Sequence, residues 1–206
     1  MHIYIMANIF SSKETLKEAV DLLCTNRSES ESQYGNISDW DVSSVTDMSY
    51  LFTEKDLFND DIGRWDVSNV TNMSGMFHSA RSFNQPIGQW DVSNVTDMSN
   101  MFCNALSFNQ PIGDWDVSNV TNMSGMFYGE HAFNQPIGQW NVSNVTDMSR
   151  MFCNALSFHQ PVGDWDVSNV TNMSLIFCGA VGFNQPTGMW DVSKVTDMVT
   201  EMSKDV

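Results

Sequence analysis

A 25-residue pattern recurs along most of this chain and constrains the fold more than any other feature. Seven tryptophans follow one another at intervals of 25 residues without a slip, namely Trp40, Trp65, Trp90, Trp115, Trp140, Trp165 and Trp190. Methionine keeps the same interval from Met48 to Met198, and phenylalanine keeps it from Phe52 to Phe177. A unit of this length is too short to bury its own apolar face, so each unit must pack on its neighbours. The repeat therefore predicts a solenoid.

The order of apolar residues within one unit predicts a short strand followed by a short helical segment. The sequence IGDWDV at 112–117 has the apolar spacing of leucine-rich repeats, and its alternation would turn Asp116 away from the core. The sequence TNMSGMF at 121–127 has helical spacing behind a candidate N-cap. The predicted fold class is a leucine-rich-repeat-like solenoid of about seven 25-residue coils, each with one short strand and one short helical segment.

The repeated unit resembles a known family. Its consensus is FNQPIG.WDVSNVT(D/N)MS.MF, in which each dot stands for a variable residue. This consensus is similar to the BspA-like leucine-rich-repeat surface proteins, which are associated with adhesion and carry Trp-Asp-Val-Ser and Met-Phe signatures. The resemblance covers roughly residues 37–200, and residues 16–43 also resemble the helical leader of some members. It implies a right-handed leucine-rich-type solenoid used for binding or surface display, and it implies no reaction.

The N-terminal segment differs from the repeats and predicts a cap. Ser11 followed by Glu14 resembles a capping box, and an apolar stripe follows at helical spacing, so we expect a capping helix over residues 11–25. The polar sequence NRSESESQYG at 26–35 predicts a loop, and the first coil should begin near Ile37. The expected division is an N-terminal segment, 1–36, and a repeat solenoid, 37–206.

At the other end the repeat changes without a comparable cap. Val199 stands where earlier units have Ser, and Met202 follows one place beyond the usual apolar position. A solenoid must cover its terminal apolar layers. We therefore expect the last coil to expose apolar surface or to associate end to end with another chain.

Charge narrows the classes of partner. Nine Lys and Arg against 25 Asp and Glu give a formal net charge of -16, which repels nucleic acid and anionic membranes. No apolar run approaches the ~18 residues of a membrane helix. No secretion signal is visible at the start, so cytoplasmic synthesis is favoured, although the resembled family is often displayed at the surface.

A column of outward carboxylates allows two interpretations. Its members are Asp41, Asp66, Asp91, Asp116, Asp166 and Asp191, with Asn141 in the fifth place. Stacked carboxylates repel unless a cation or hydrogen-bond donors compensate. Calcium is the sole candidate cofactor, with Asp66, Asp91, Asp116 and Asp166 as candidate ligands. Asn141 keeps the acceptor oxygen without the charge, which favours bonding to the local backbone instead.

The columns that vary between units are the expected partner-binding positions, because the shared columns are needed for the fold. The candidates are His78, Arg81, Cys103, Tyr128, Glu130 and His131, with Asp91 and Asp116 as part of an acidic strip for a basic partner. Cys153 and Cys178 occupy one column in adjacent units, where a disulfide or two free thiols would both fit.

These observations predict a non-enzymatic repeat scaffold for protein recognition, adhesion or assembly through an extended acidic surface. The alternative is a module that binds a periodic ligand, ice or a polysaccharide, through the Thr and Asp ladders; the Thr column runs from Thr46 to Thr196. We do not expect an enzyme, because no residue set combines a nucleophile, a base and an orienting group.

Overall fold

The computed structural model describes residues 8–197, and this part of the chain begins with two helices. Helix α1 spans Lys13–Thr25, helix α2 spans Arg27–Tyr34, and a 3₁₀ turn follows at Ile37–Asp39. The predicted capping helix is confirmed, although its N-cap is Ser12, whose hydroxyl accepts a hydrogen bond from the Thr15 N–H. None of the helices described here is long and apolar enough to cross a membrane.

The loop predicted at 26–35 is wrong, because these polar residues form α2. Asn26 is the N-cap of this helix, and its side chain accepts a hydrogen bond from the Glu29 N–H. Gly35 is the C-cap, which has a φ of 74° and donates its N–H to the Glu31 carbonyl oxygen. Arg27 also makes a two-pronged contact with Asp60, at 2.9 and 2.8 Å. Local capping and one tertiary ion pair thus outweigh the low apolar content of the segment.

The repeats stack on one another, and we number them by their first residue. Unit 1 is 37–61, unit 2 is 62–86, unit 3 is 87–111, unit 4 is 112–136, unit 5 is 137–161, unit 6 is 162–186, and unit 7 is described as far as 197. Aromatic rings form continuous columns along the stack, as in the pair Phe102 and Phe127, whose ring centroids lie 5.8 Å apart. Each tryptophan from Trp65 onwards donates its indole N–H to a carbonyl of the preceding unit; Trp115 reaches Ile87 at 3.2 Å.

The predicted core of a unit is confirmed by its burial. In unit 4 the side chains at the predicted apolar positions are at most 4% exposed, namely Ile112, Trp115, Val117, Val120, Met123, Met126, Phe127 and Phe133. Asp116 is exposed between its buried neighbours, as the alternation predicted. The apolar columns therefore join into one core that runs along the stack.

The predicted secondary structure of the unit is wrong. The predicted fold class, a leucine-rich-repeat-like solenoid with a strand and a helical segment in each coil, is therefore wrong as well. Within residues 8–197 the repeats contain no strand, and neighbouring units share only isolated parallel bridges, such as Asn122 with Asp147. The segment predicted as a helix is a series of turns. Gly125 and Gly129 have φ values of 60° and 64°, and a right-handed helix needs a negative φ at every residue. The units are built from turns that bond to the next unit.

The predicted exposure of the last coil depended on Val199 and Met202. Both positions lie outside the described residues, so end-to-end association stays a prediction.

Candidate recognition surface

Each unit bonds to the next through four backbone hydrogen bonds that point the same way, and through one of opposite direction, in which the Thr N–H of the later unit donates to the Thr carbonyl of the earlier one. In unit 1 the N–H groups of residues 48, 50, 52 and 54 donate to the carbonyl oxygens of residues 72, 74, 76 and 78 in unit 2. The same four bonds recur at every junction up to unit 6, with N to O distances of 2.7–3.0 Å. In each of these peptide groups between two units, the C=O faces the unit before and the N–H faces the unit after. We call these four lines of aligned peptide groups the peptide rows.

The peptide rows require two left-handed residues in each of units 1 to 6. One column contains Tyr50, Gly75, Asn100, Gly125, Arg150 and Leu175, and the other contains Glu54, Ser79, Asn104, Gly129, Asn154 and Gly179, with φ between 54° and 65°. In the first column, Tyr50 and Asn100 lie over the glycines of the following unit, Gly75 and Gly125. A Cβ added at Gly125 would approach Asn100 Oδ1 to 2.4 Å, so the glycine makes room for the asparagine.

A surface groove occupies the space beside Gly125, where the glycine has no side chain. It has a volume of about 290 Å³ and spans units 3 to 5; its lining residues are Asn100, Cys103, Ser124, Gly125, Tyr128, Ser149 and Arg150. The lining combines an amide, two hydroxyl groups, an aromatic ring and a guanidinium. We call it the Arg150 groove. Its lining is not repeated in the next block of two units, where Leu175 and Cys178 replace Gly125 and Tyr128.

Arg150 gives this groove a positive group on an acidic protein. The side chain is exposed, and it forms no ion pair with any carboxylate in residues 8–197. By contrast, Arg81 lies 3.6 Å from Asp56, and Arg27 lies 2.8 Å from Asp60. The Arg150 guanidinium is therefore available to an external carboxylate or to the face of an aromatic ring.

The predicted partner-binding residues do not form one patch. Cys103 and Tyr128 lie together in the Arg150 groove, with the Cys103 side chain largely buried in its wall. His78 lies one unit nearer the N-terminus, where its Nδ1 is 3.5 Å from the Thr53 hydroxyl. His131 is exposed and follows Glu130, which is buried. Glu130 is therefore not a surface residue, and its prediction as a direct partner contact needs correction.

Glu130 occupies a position where units 2, 3, 5 and 6 have alanine. Its side chain is 1% exposed; Oε2 accepts a hydrogen bond from the Phe133 N–H, and Oε1 has no hydrogen-bond partner. Burial raises the pKa of this carboxyl to about 8, although the N–H groups of Phe133, Ala132 and Phe108 lower it in part. In unit 3 the Phe108 N–H donates to the Ala105 carbonyl at 2.9 Å, and in unit 4 the Glu130 carboxyl oxygen replaces that carbonyl as the acceptor.

The outward Asp column has a structural role at every position. Asp66, Asp91, Asp116 and Asp166 each accept a hydrogen bond from the N–H of the Ser two residues later, at 3.0–3.1 Å. Asn141 accepts the same bond at 3.2 Å without a charge. Hydrogen bonds from Ser93, Ser118 and Ser168 hold the pKa values of Asp91, Asp116 and Asp166 below their usual range. Within residues 8–197 no three His, Cys, Asp or Glu side chains converge on a point suited to a metal ion.

The other repeated polar columns also bond within the protein. From Thr71 onwards, each Thr hydroxyl donates to the carbonyl of the Thr in the unit before, at 3.1–3.4 Å. Asn59, Asn84, Asn109 and Asn134 each accept the backbone N–H of the next unit through Oδ1. These asparagines form a ladder along the stack, and it ends at His159.

The four cysteines, Cys24, Cys103, Cys153 and Cys178, are free thiols in this structure. Cys103 and Cys153 are both 5% exposed, and burial raises the pKa of each to about 11. Cys178 is less buried and lies beside Cys153 in the adjacent unit. The predicted proximity of Cys153 and Cys178 is therefore present, and the two sulfurs are unpaired here.

Comparison with known proteins identifies the family of this chain. A family model described as "Mycoplasma protein of unknown function, DUF285" matches it twice, over residues 6–123 and 106–205. The chain belongs to this family. The DUF285 match confirms a repeat family but not the more specific BspA-like leucine-rich type. Searches of curated proteins and of solved structures found no match.

Two residues of the Arg150 groove were not predicted from the sequence. Asn100 and Arg150 occupy the variable position of the MS.MF motif, which was not among the predicted partner-binding positions. The sequence did contain one signal, because Arg150 is the one Lys or Arg between Arg81 and Lys194.

Proposed function

We propose that this DUF285 protein is a non-catalytic scaffold that recognises a protein partner at its outer surface, with the Arg150 groove as the specific contact. The observation that carries the proposal is the use of the repeated polar side chains. The Asp, Asn and Thr columns bond to the protein itself, while the non-repeated residues Asn100, Tyr128 and Arg150 meet in one groove.

The composition of the groove fits protein recognition. Tyr and Arg are enriched at the energetic centres of protein interfaces, because they offer large contact areas together with directional polar groups. The groove is open and small, so it suits one or two side chains of a partner rather than a whole small molecule. A carboxylate facing Arg150 would gain a charge-assisted hydrogen bond.

The acidic strip would have a different role in the same encounter. Asp91 and Asp116 are exposed, and the Ser bond is to Oδ1 of each carboxylate, which leaves Oδ2 facing solvent. Exposed charges of one sign speed association with a partner of opposite charge and contribute less to the lifetime of the complex. The strip would attract a basic region of the partner, and the Arg150 groove would fix its position.

The resemblance of the Trp-Asp-Val-Ser and Met-Phe motifs to BspA-like surface proteins supports adhesion as the setting of this recognition. The periodic-ligand alternative receives less support. Each Thr hydroxyl from Thr71 onwards donates its proton to a protein carbonyl, so it can only accept a hydrogen bond from an ice or sugar lattice.

The test immobilises four forms of the protein: wild type, Tyr128→Ala, Arg150→Glu and the control Arg64→Glu. It then compares which proteins each form captures from a cell lysate. Arg64 is exposed and also lacks an ion pair among residues 8–197, so its substitution changes the net charge equally, away from the groove. We expect quantitative mass spectrometry to find a protein that wild type and Arg64→Glu retain and that both groove variants lose. Equal capture by all four proteins, with unchanged melting temperatures, would refute the placement of the contact.

A further inference from the structure

Cys153 and Cys178 form a pair of stacked thiols that the proposed function does not use. Cys153 lies in unit 5 and Cys178 in unit 6, exactly one repeat apart in sequence. The peptide rows hold their backbones together on both sides. Phe152 donates its N–H to the Ile176 carbonyl at 2.9 Å, and Asn154 donates its N–H to the carbonyl of Cys178 itself at 2.7 Å.

The spacing of the two residues suits a disulfide. Hydrogen-bonded neighbouring backbones lie about 4.8 Å apart, which falls within the Cα to Cα range of about 4.4–6.8 Å found for disulfides. The Cys153 and Cys178 side chains lie beside each other, and Cys178 contributes to the raised pKa of Cys153. Bond formation therefore needs a rotation of the side chains and no separation of the units.

Cys103 provides a contrast in the same column. Its neighbour in the next unit is Tyr128, and the neighbour of Tyr128 on the far side is Cys153. Cys103 is as buried as Cys153 and has no thiol partner one unit away. Proximity to a second thiol thus distinguishes the Cys153 site from the Cys103 site.

We propose that Cys153 and Cys178 are a site of reversible disulfide formation that joins units 5 and 6 when the protein meets a thiol oxidant. With oxidised glutathione, the more exposed Cys178 loses its proton and attacks one glutathione sulfur, which releases the first glutathione thiol. Cys153 then loses its proton and attacks the sulfur of Cys178, which releases the second glutathione. Two protein thiols are oxidised to one disulfide, and one glutathione disulfide is reduced to two thiols.

The bond would link the structure beside the Arg150 groove. Arg150 lies three residues before Cys153 in unit 5. The second step should be slow at neutral pH and faster at higher pH, because burial keeps Cys153 protonated and the thiolate is the attacking species. This inference does not depend on the identity of a partner, and its test does not measure one.

The experiment treats the folded, reduced chain with oxidised glutathione at pH 8 and at pH 9.5, blocks the remaining thiols with a maleimide, and maps the peptides by mass spectrometry. We expect wild type and Cys103→Ser to lose about 2 Da and to yield a peptide linked at 153 and 178, more quickly at pH 9.5. Cys153→Ser and Cys178→Ser should yield no internal disulfide. Phenylarsine oxide, which bridges adjacent thiols, should protect the same pair from the maleimide in wild type.

Two results would overturn the proposal. One is a wild-type chain that keeps its Cys153 and Cys178 thiols unlinked under conditions that oxidise dithiothreitol. The other is a disulfide of equal yield that involves Cys103 or Cys24 instead. The peptide map of wild type decides between these outcomes even where a serine variant is less stable.

Discussion

Replacement of the buried Glu130 by alanine should stabilise the protein, and the gain should depend on pH. Alanine is the residue at the equivalent place in units 2, 3, 5 and 6, and at Ala80 and Ala105 it is fully buried. The Glu130→Ala change removes a carboxyl whose Oε1 has no hydrogen-bond partner. It also lets the backbone return to the turn of unit 3, in which Phe108 donates its N–H to the Ala105 carbonyl.

The pKa of Glu130 determines how much stability the Glu130→Ala change should add. The pKa of Glu130 rises from 4.5 to about 8 on folding, so the folded state holds this proton more tightly than the unfolded state. The free energy of unfolding contributed by this group therefore falls as the pH rises from 4.5 to about 8, and it is constant above that range. At 1.36 kcal/mol per pH unit, the cost is about 3 kcal/mol at pH 7 and about 5 kcal/mol at pH 9. The Phe133 N–H exchanges the Glu130 side-chain oxygen for the backbone carbonyl of residue 130, so the hydrogen bond itself changes the gain little.

Urea unfolding followed by tryptophan fluorescence, at each pH unit from 5 to 9, measures the effect. We expect the stability difference between Glu130→Ala and wild type to be small at pH 5 and to grow by about 1.4 kcal/mol per pH unit up to about pH 8. Glu130→Gln keeps the size of the side chain without its charge, so it should abolish the same pH dependence. A difference that stays constant with pH, or one that grows as the pH falls, would show that Glu130 is ionised in the folded protein at ordinary pH.

Three further substitutions test the turn-based stacking. Gly125→Ala should destabilise the chain by about 1–3 kcal/mol, because a left-handed residue gains a Cβ that meets Asn100, whereas Gly188→Ala, with open space around it, should have little effect in the same urea assay. His159→Asn should raise the stability by about 0.5–1 kcal/mol by continuing the asparagine ladder to the Asn184 N–H, whose protection from hydrogen exchange should increase. Trp115→Phe should cost about 1–3 kcal/mol in thermal unfolding, because the buried Ile87 carbonyl loses its indole donor.

The sequence predicted the composition of the core but not the shape of the backbone around it. Trp115 and Val117 are buried where the repeat placed them, because a 25-residue period leaves apolar columns no other way to avoid water. The helical spacing of Met123, Met126 and Phe127 was equally clear and misleading. A series of turns can direct the same three side chains inward, and the left-handed Gly125 interrupts any helix between them.

Glycine and asparagine in the variable position of MS.MF were the signal for this difference. Gly75, Asn100 and Gly125 are poor choices for the middle of a helix, and they are the residues that most readily adopt a positive φ. Tyr50, Arg150 and Leu175 in the same column weaken that signal, so the pattern is visible mainly after the structure is known. The α2 helix was missed for a different reason, because its stability depends on caps and on Arg27 rather than on an apolar stripe.

The candidate site was partly predictable. Cys103 and Tyr128 were singled out because they vary between units, and the structure brings them into one groove. Glu130 was singled out on the same ground and is buried, because variation between units marks any departure from the repeat, on the surface or in the core. Distances across units 3 to 5 depend on the turn geometry, which apolar periodicity does not encode.

Four peptide rows point one way along the stack and one row of Thr peptide groups points the other way, so the stack has a net electric polarity. Each peptide group has a dipole of about 3.5 D, and aligned dipoles add as they do along an α-helix. The negative pole lies at unit 1, where the Lys13 ammonium contacts Ser49 and lies 3.4 Å from Asp47. Two stacks whose rows continued into each other would have to join opposite poles. Such a contact is heterologous, whereas a two-fold dimer would bring like poles together.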